Sequence, residues 1–213
     1  ENQIEISKFQ TINYQAQYNA TADKDLRIVG SGEINLLGLY WKDHTSLDGI
    51  EGEEVAIPND PSNQGRSINV LVQAGLVTLN ADAPKLTPTP ADIDAAQSKV
   101  SVVPVDAAQT TSAYNEGRPA VINNNFLGRA GIDPKTSVAA DDPNSELAEP
   151  YINVFSVRAD DVDNATYEKI VEIWQSDEVT KALEEDSNGT AVQVKRSKED
   201  LNKILDNLTE EYR

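Results

Sequence analysis

The fold is decided by residues 55–67, which read VAIPNDPSNQGRS. An apolar, β-branched run ends at Pro58, and a polar turn leads into the start of a helix. In α/β sheets, a strand end followed by a helix start forms a crevice with free N–H groups and a positive dipole end. Gly65 allows the backbone to approach a neighbour closely. Arg66 offers either a bidentate hydrogen bond to a carboxylate or a surface ion pair, and the local sequence leaves both open.

Apolar runs of this kind alternate with segments of helical period along the whole chain. This alternation predicts an α/β fold with largely parallel sheets. The predicted strands cover residues 26–29, 34–40, 55–57, 100–105, 120–122 and 152–157. Helix starts are predicted at the capping residues Asp60, Thr89, Asn164, Ser176 and Ser197. The apolar stripes of these helices are interpreted as core faces.

Composition places the chain among soluble globular proteins. It has 213 residues, of which 38% are hydrophobic and 25% charged, and its formal net charge is -18. Such an acidic surface repels phosphate backbones, so we expect no nucleic-acid partner. No apolar run approaches the roughly 20 residues that a membrane span needs.

The residues that most often carry catalysis or metal binding are scarce. The chain has no cysteine and a single histidine, His44, which lies in a polar stretch typical of an exposed loop. A thiol nucleophile, a disulfide framework and a cysteine-ligated metal are therefore excluded. No set of residues indicates a nucleophile, a paired acid and base, a metal or a cofactor, so we expect a protein that is not an enzyme.

Amides and aromatics mark the other candidate binding positions. Asn123 follows the predicted strand 120–122, and Asn153 interrupts an apolar strand where its side chain needs a ligand or a backbone partner. Phe9 and Tyr14 suit either the wall of an apolar pocket or the core.

Residues 55–67 and the QAGL that follows at 73–76 resemble the methionine-binding lipoproteins of ABC importers, the NlpA family. Four further matches stand in the same order: FQ with Tyr14 at 9–14, AVINN at 120–124, PYIN at 150–153 and QSDEV at 175–179. The resemblance extends from about Phe9 to Val194. The helix after Arg196 is interpreted as an extension beyond the usual end of the family.

The resemblance implies a two-lobed fold of the periplasmic-binding-protein type, with mostly parallel sheets and two crossover strands as the hinge. The first lobe would comprise residues 1–40 and 155–213, and the second lobe 41–154. Because the chain opens in the middle of a pattern and contains no methionine, we expect the N-terminal part of the first lobe to be incomplete.

The resemblance also implies the roles of site residues. Arg66 would clamp the carboxylate of an amino-acid ligand held between the lobes, and Asn123 and Asn153 would hold its polar groups. Phe9 and Tyr14 would wall the pocket for a thioether side chain. The family usually has a histidine where this chain has Thr11, which puts the side-chain specificity in question.

We therefore expect an extracytoplasmic solute-binding protein that delivers methionine, or a closely related amino acid, to the membrane subunits of an ABC importer. It would be a monomer, attached to the cell membrane only through a lipid anchor outside these residues. Alternatives are the same clamp with another apolar amino acid or a short methionine-containing peptide, an enzyme on the same fold, and a regulatory domain or adhesin. A regulator would normally carry a basic DNA-binding segment, and none is present.

Overall fold

A computed structural model describes residues 4–213, and these residues form two compact units. Unit 1 comprises residues 4–35 and 143–213 of the described chain, and unit 2 comprises residues 36–142. From the sequence we placed the divisions after residues 40 and 154. In the structure they fall after residues 35 and 142, so residues 36–40 belong to unit 2 and residues 143–154 to unit 1. Within residues 4–213, no helix is both long enough and apolar enough to cross a bilayer.

The nine strands of the described residues are β1 Leu26–Ser31, β2 Glu33–Asn35, β3 Gly38–Tyr40, β4 Glu54–Pro58, β5 Ser101–Val105, β6 Ala120–Ile122, β7 Ser137–Ala140, β8 Val154–Arg158 and β9 Ala191–Gln193. The α-helices of that same part of the chain are α1 Ile12–Ala22, α2 Pro61–Gln73, α3 Thr110–Asn115, α4 Asn124–Ala130, α5 Ala165–Trp174, α6 Asp177–Asp186 and α7 Lys198–Glu211. Short 3₁₀ turns include Pro90–Asp92 and Glu146–Tyr151.

Unit 2 is built on a mixed five-stranded sheet with the order β5-β4-β6-β3-β7. β4 runs parallel to β5 and β6, whereas β3 runs antiparallel to β6 and β7. The carboxyl ends of β4, β6 and β7 and the amino end of β3 therefore lie at one edge of the sheet. We call this edge the carboxyl edge, and it is where candidate binding residues of unit 2 are found.

β4 is apolar throughout because it is buried on both faces. Val55 and Ile57 pack with Ile68 and Leu71 of α2, whereas Ala56 faces the opposite core beside α3 and α4. A strand that is covered on both faces has a continuously apolar sequence. This explains why residues 55–57 were recognisable as a strand.

Unit 1 contains two antiparallel strand pairs, β1–β8 and β2–β9. A core of Val29, Phe155, Val157 and Val171 lies between the first pair and α5. The α/β class is confirmed, but the sheets are mixed or antiparallel and not mostly parallel.

Most predicted elements are present, but the prediction of one strand was wrong. Residues 34–40 were predicted as one strand, but they form β2 of unit 1 and β3 of unit 2. Leu37, between them, is 2% exposed, so the apolar pattern continues through the passage from one unit to the other. The helix starts at Asp60, Asn164, Ser176 and Ser197 are confirmed, since each side chain accepts a backbone N–H of its first turn.

Helix α7 is held against β1 by one side chain that replaces a strand partner. The Asn202 Oδ1 accepts the Ile28 N–H at 3.0 Å, and its Nδ2 donates to the Ile28 carbonyl at 2.8 Å. Arg27 adds an ion pair with Asp206, and Leu201, Leu205 and Leu208 form the buried face of the helix.

We expect Asn202→Ala to lower the free energy of unfolding by about 1–3 kcal/mol, because it leaves both backbone groups of Ile28 without their partner. Urea unfolding followed by circular dichroism measures this change. Asn207→Ala, an exposed position on the same helix, is the control and should change stability by less than about 0.5 kcal/mol. Equal effects of the two substitutions would show that Asn202 does not hold β1.

Gly65 provides a close approach, as its position in the sequence indicated. A Cβ built there would lie 3.0 Å from the Leu86 carbonyl oxygen and 3.0 Å from Thr87 Cα. The neighbour that approaches this glycine is therefore the backbone of residues 86–88.

We expect Gly65→Ala to destabilise the protein by about 1–3 kcal/mol through overpacking against that backbone. The control is Gly128→Ala in α4, where an added Cβ meets nothing within 4 Å. This control should be neutral or stabilising by up to about 1 kcal/mol, because alanine is the better helix former. Denaturant unfolding measures the free energy of unfolding of both variants. If Gly65→Ala were as stable as the wild type, the packing argument would be contradicted.

Candidate ligand-binding residues

The segment at the start of α2 brings Arg66 to the carboxyl edge of unit 2. After β4, the Asn59 N–H donates to the Val105 carbonyl, which continues the pairing of β4 with β5. Asp60 then caps α2 by accepting the Asn63 N–H at 3.0 Å. Because the helix begins within three residues of the strand end, its first two turns lie close to the carboxyl edge.

Arg66 is buried, with 8% of the residue exposed, and it is paired with a carboxylate of its own chain. Its Nε and Nη2 donate to the same oxygen, Oδ2 of Asp141, at 2.8 and 2.6 Å. The alternative of a surface ion pair is therefore excluded. Burying a guanidinium costs much free energy unless it is paired and hydrogen-bonded, and Asp141 supplies this partner.

Asp141 joins the candidate residues only in the structure. It follows β7 directly and is itself 6% exposed. Its second oxygen, Oδ1, accepts the Leu37 N–H at 2.8 Å. No feature of the sequence distinguishes it from the adjacent Asp142, which is exposed.

Asn123 lies at the same carboxyl edge, directly after β6. It occupies the N-cap position of α4, but its side chain makes no capping hydrogen bond. Its Oδ1 is buried and accepts no hydrogen bond from the described residues. Since buried acceptors are nearly always paired, this oxygen is suited to a donor from outside the chain.

Asn153 belongs to unit 1, where its backbone is fixed on both sides. Its N–H donates to the Glu33 carbonyl and its carbonyl accepts from the Gly32 N–H, both at 2.8 Å. The side chain is half-buried and has no hydrogen-bond partner within the described chain. The backbone of this residue is thus satisfied while its amide side chain remains available.

Thr11 pairs with Asn153 through an isolated antiparallel bridge, so these two predicted residues lie together in unit 1. Thr11 also caps α1, because its Oγ1 accepts the Tyr14 N–H at 3.2 Å. The residue in the position of the family histidine therefore has a structural role in this chain.

Phe9 and Tyr14 are not part of the core, which had been one interpretation of them. Phe9 is 94% exposed and Tyr14 is 59% exposed. Tyr14 lines an apolar groove of about 370 Å³ in unit 1 together with Ile4, Tyr18 and Val157, and Phe9 does not.

The described residues contain no cluster of three or more histidine and acidic side chains with the geometry to hold a metal ion. Unit 2 offers a buried cation and an unpaired amide oxygen, and unit 1 separately offers an amide and exposed aromatic side chains. Cations, amides and aromatic side chains are the groups that bind small polar ligands with apolar parts.

Comparison with known proteins gives matches to the family that the sequence motifs resemble. The family model of the NlpA lipoproteins matches residues 1–195, so α7 lies beyond it. The D-methionine-binding lipoprotein MetQ of Salmonella typhi is 33% identical over 193 residues, which are 89% of this chain and 69% of the relative.

Solved structures agree in fold. Protein PG110 from Staphylococcus aureus superposes with a TM-score of 0.80 and 35% identity, covering 96% of this chain and 81% of that one. The substrate-binding protein of a methionine transporter from Streptococcus pneumoniae gives 0.72 and 25%, covering 90% and 76%. A nutrient-binding protein from Burkholderia cenocepacia, solved with methionine bound, gives 0.73 and 29%, covering 89% and 79%.

The ordered motifs noted in the sequence, the α/β architecture in two units and these matches lead to one assignment: the chain belongs to the NlpA lipoprotein family.

Proposed function

We propose that this protein is a solute-binding protein that takes up methionine, or a closely related amino acid, outside the cytoplasm and delivers it to an ABC importer. The family assignment and the methionine-binding relatives support the ligand class. The name of the Streptococcus pneumoniae protein, a component of a methionine transporter, supports the membrane subunits of an importer as the partner.

The observation that carries the proposal is the buried, unpaired Oδ1 of Asn123 at the same sheet edge as the buried guanidinium of Arg66. An amino acid presents an ammonium donor and a carboxylate acceptor one carbon apart. We assign the ammonium to Asn123 and the carboxylate to Arg66, because each then gains a charge-assisted hydrogen bond.

The candidate residues of unit 1 suit the same class of ligand. The Asn153 amide both donates and accepts, so it suits either polar group of the amino acid. Phe9 and Tyr14 offer exposed aromatic faces, which make favourable contacts with a thioether sulfur. Exposure of these apolar rings to water is unfavourable, and contact with a ligand would remove part of that surface from water.

Thr11 favours a second candidate ligand, a larger apolar amino acid or a short methionine-containing peptide. Its hydroxyl is committed to capping α1, and its side chain is smaller than the histidine usual in the family. A smaller side chain at this position leaves more room beside the ligand side chain.

We further propose that the protein works without catalysis, as a monomer, and is held at the outer face of the membrane by a lipid. The name of the family supports the lipid anchor. A binding role requires pairing of the ligand's polar groups, and the donors and acceptors assigned above supply it.

The test is Asn123→Ala, measured by titration calorimetry with L-methionine and by denaturant unfolding without ligand. We expect the affinity to fall by about 1.5–3 kcal/mol, since a hydrogen bond to a charged group is lost. The ligand-free protein should keep its stability within about 0.5 kcal/mol or gain some, because the substitution removes an unpaired buried acceptor.

The matched control is Asn125→Ala, an exposed residue two positions further along α4. It should change neither the affinity nor the stability appreciably. If Asn123→Ala bound L-methionine as tightly as the control, the assignment of the ammonium site would be wrong.

A further inference from the structure

In unit 2, Asp141 joins Arg66 to the backbone of the residues that enter the unit. One oxygen, Oδ2, accepts two N–H groups of Arg66, and the other, Oδ1, accepts the Leu37 N–H. The Asp141 N–H donates in turn to the Leu37 carbonyl at 3.1 Å. A single carboxylate thus connects a helix side chain to two neighbouring backbone segments.

These two segments are the ones by which the chain enters and leaves unit 2. The division between the units falls after Asn35 and after Asp142. Leu37 is therefore the second residue of the unit and Asp141 the penultimate one, and the two are hydrogen-bonded to each other in both directions. The guanidinium of Arg66 is anchored to the paired ends of its own unit.

We propose that Asp141 is a positioning residue for ligand binding: it holds the Arg66 guanidinium in the orientation that receives a ligand carboxylate and neutralises it while no ligand is present. The inference rests on the proposed function, because it assumes that Arg66 binds a carboxylate. Asp141 itself does not touch the ligand and remains bonded to Nε and Nη2 of Arg66 in both states.

Burial is what makes this pairing necessary. The side chain of Arg66 is 10% exposed and that of Asp141 is 4% exposed, so water cannot take over the role of either partner. An unpaired guanidinium in such a place would turn towards any available acceptor and lose its fixed geometry. The planar, pre-organised fork of arginine is useful for a carboxylate only when its orientation is set in advance.

The hydrogen-bond pattern predicts that asparagine cannot replace this aspartate. Asp141 accepts on both oxygens, from Arg66 on one side and from Leu37 on the other. An asparagine has one accepting oxygen and one donating NH₂ group. In either orientation its NH₂ group would face another donor, so Asp141→Asn must release either Arg66 or Leu37.

The experiment compares L-methionine with methioninamide, which keeps the ammonium and thioether but lacks the carboxylate. Titration calorimetry is carried out on the wild type, Asp141→Asn and Arg66→Ala. The control, Asp142→Asn, removes the same charge from the adjacent exposed residue. We expect Asp141→Asn to weaken L-methionine binding about tenfold or more and methioninamide binding less than about threefold. Arg66→Ala should show the same selectivity, and Asp142→Asn should match the wild type.

Three results would overturn the positioning role. They are unchanged L-methionine binding by Asp141→Asn, tighter binding, and an equal loss for both ligands, which would indicate a general structural defect. Failure of the wild type to bind either compound has another meaning: the proposed ligand is wrong, and the role of Asp141 in binding falls with it.

A second measurement uses only the wild-type protein, so its result does not depend on whether a variant folds. The Arg66 Nε–H is observed by ¹⁵N–¹H NMR in the wild type, with and without L-methionine. We expect it to exchange slowly with solvent in both states, because its bond to Asp141 persists. Fast exchange in either state, at the rate of an exposed arginine, would contradict the proposal.

Discussion

The buried ion pair between Arg66 and Asp141 is the interaction on which the binding site of unit 2 depends. Two charges removed from water are costly, and they are tolerated only because three donors converge on one carboxylate. The mixed sheet makes this convergence possible. β4 directs α2 to the carboxyl edge, and β7 and β3 bring Asp141 and Leu37 to that edge from the other end of the strand order.

The same edge contains a group that the fold leaves unsatisfied. Asn123 stands where a cap is expected, yet its oxygen receives no donor from the described residues. Stability alone would favour a side chain that caps α4. Proteins that bind small ligands often keep such unpaired groups at the site, since the ligand supplies the missing partner. Unit 1 is similar, because Asn153 has a satisfied backbone and an unengaged amide.

Much of the architecture could be predicted from the sequence, because local rules and tertiary structure agree there. The doubly buried β4, the Asp60 cap and the stripe of α2 each have a pattern of their own. The break between β2 and β3 could not be predicted, since Leu37 is as buried as the strands on either side. β7 and β9 also escaped prediction, because four and three residues of mostly small side chains give no periodic signal.

The candidate site divides in the same way. Arg66 and Asn123 were named because they follow predicted strand ends, where topology predicts a binding edge, and Asn153 because it interrupts an apolar strand. Asp141 was not named, because the sequence shows two adjacent aspartates and does not tell which of them is buried. Its partners, Arg66 and Leu37, are 75 and 104 residues away along the chain. Thr11 was named as a specificity residue, and its additional role as the cap of α1 became evident only from the structure.

The ligand proposed for this protein is methionine or a close relative of it. The most direct measurement is mass spectrometry of the small molecules released when the purified protein is denatured, followed by titration of L-methionine into the stripped protein. We expect methionine to be released and to rebind with one-to-one stoichiometry. Release of a different compound, together with no heat on addition of L-methionine, would contradict it.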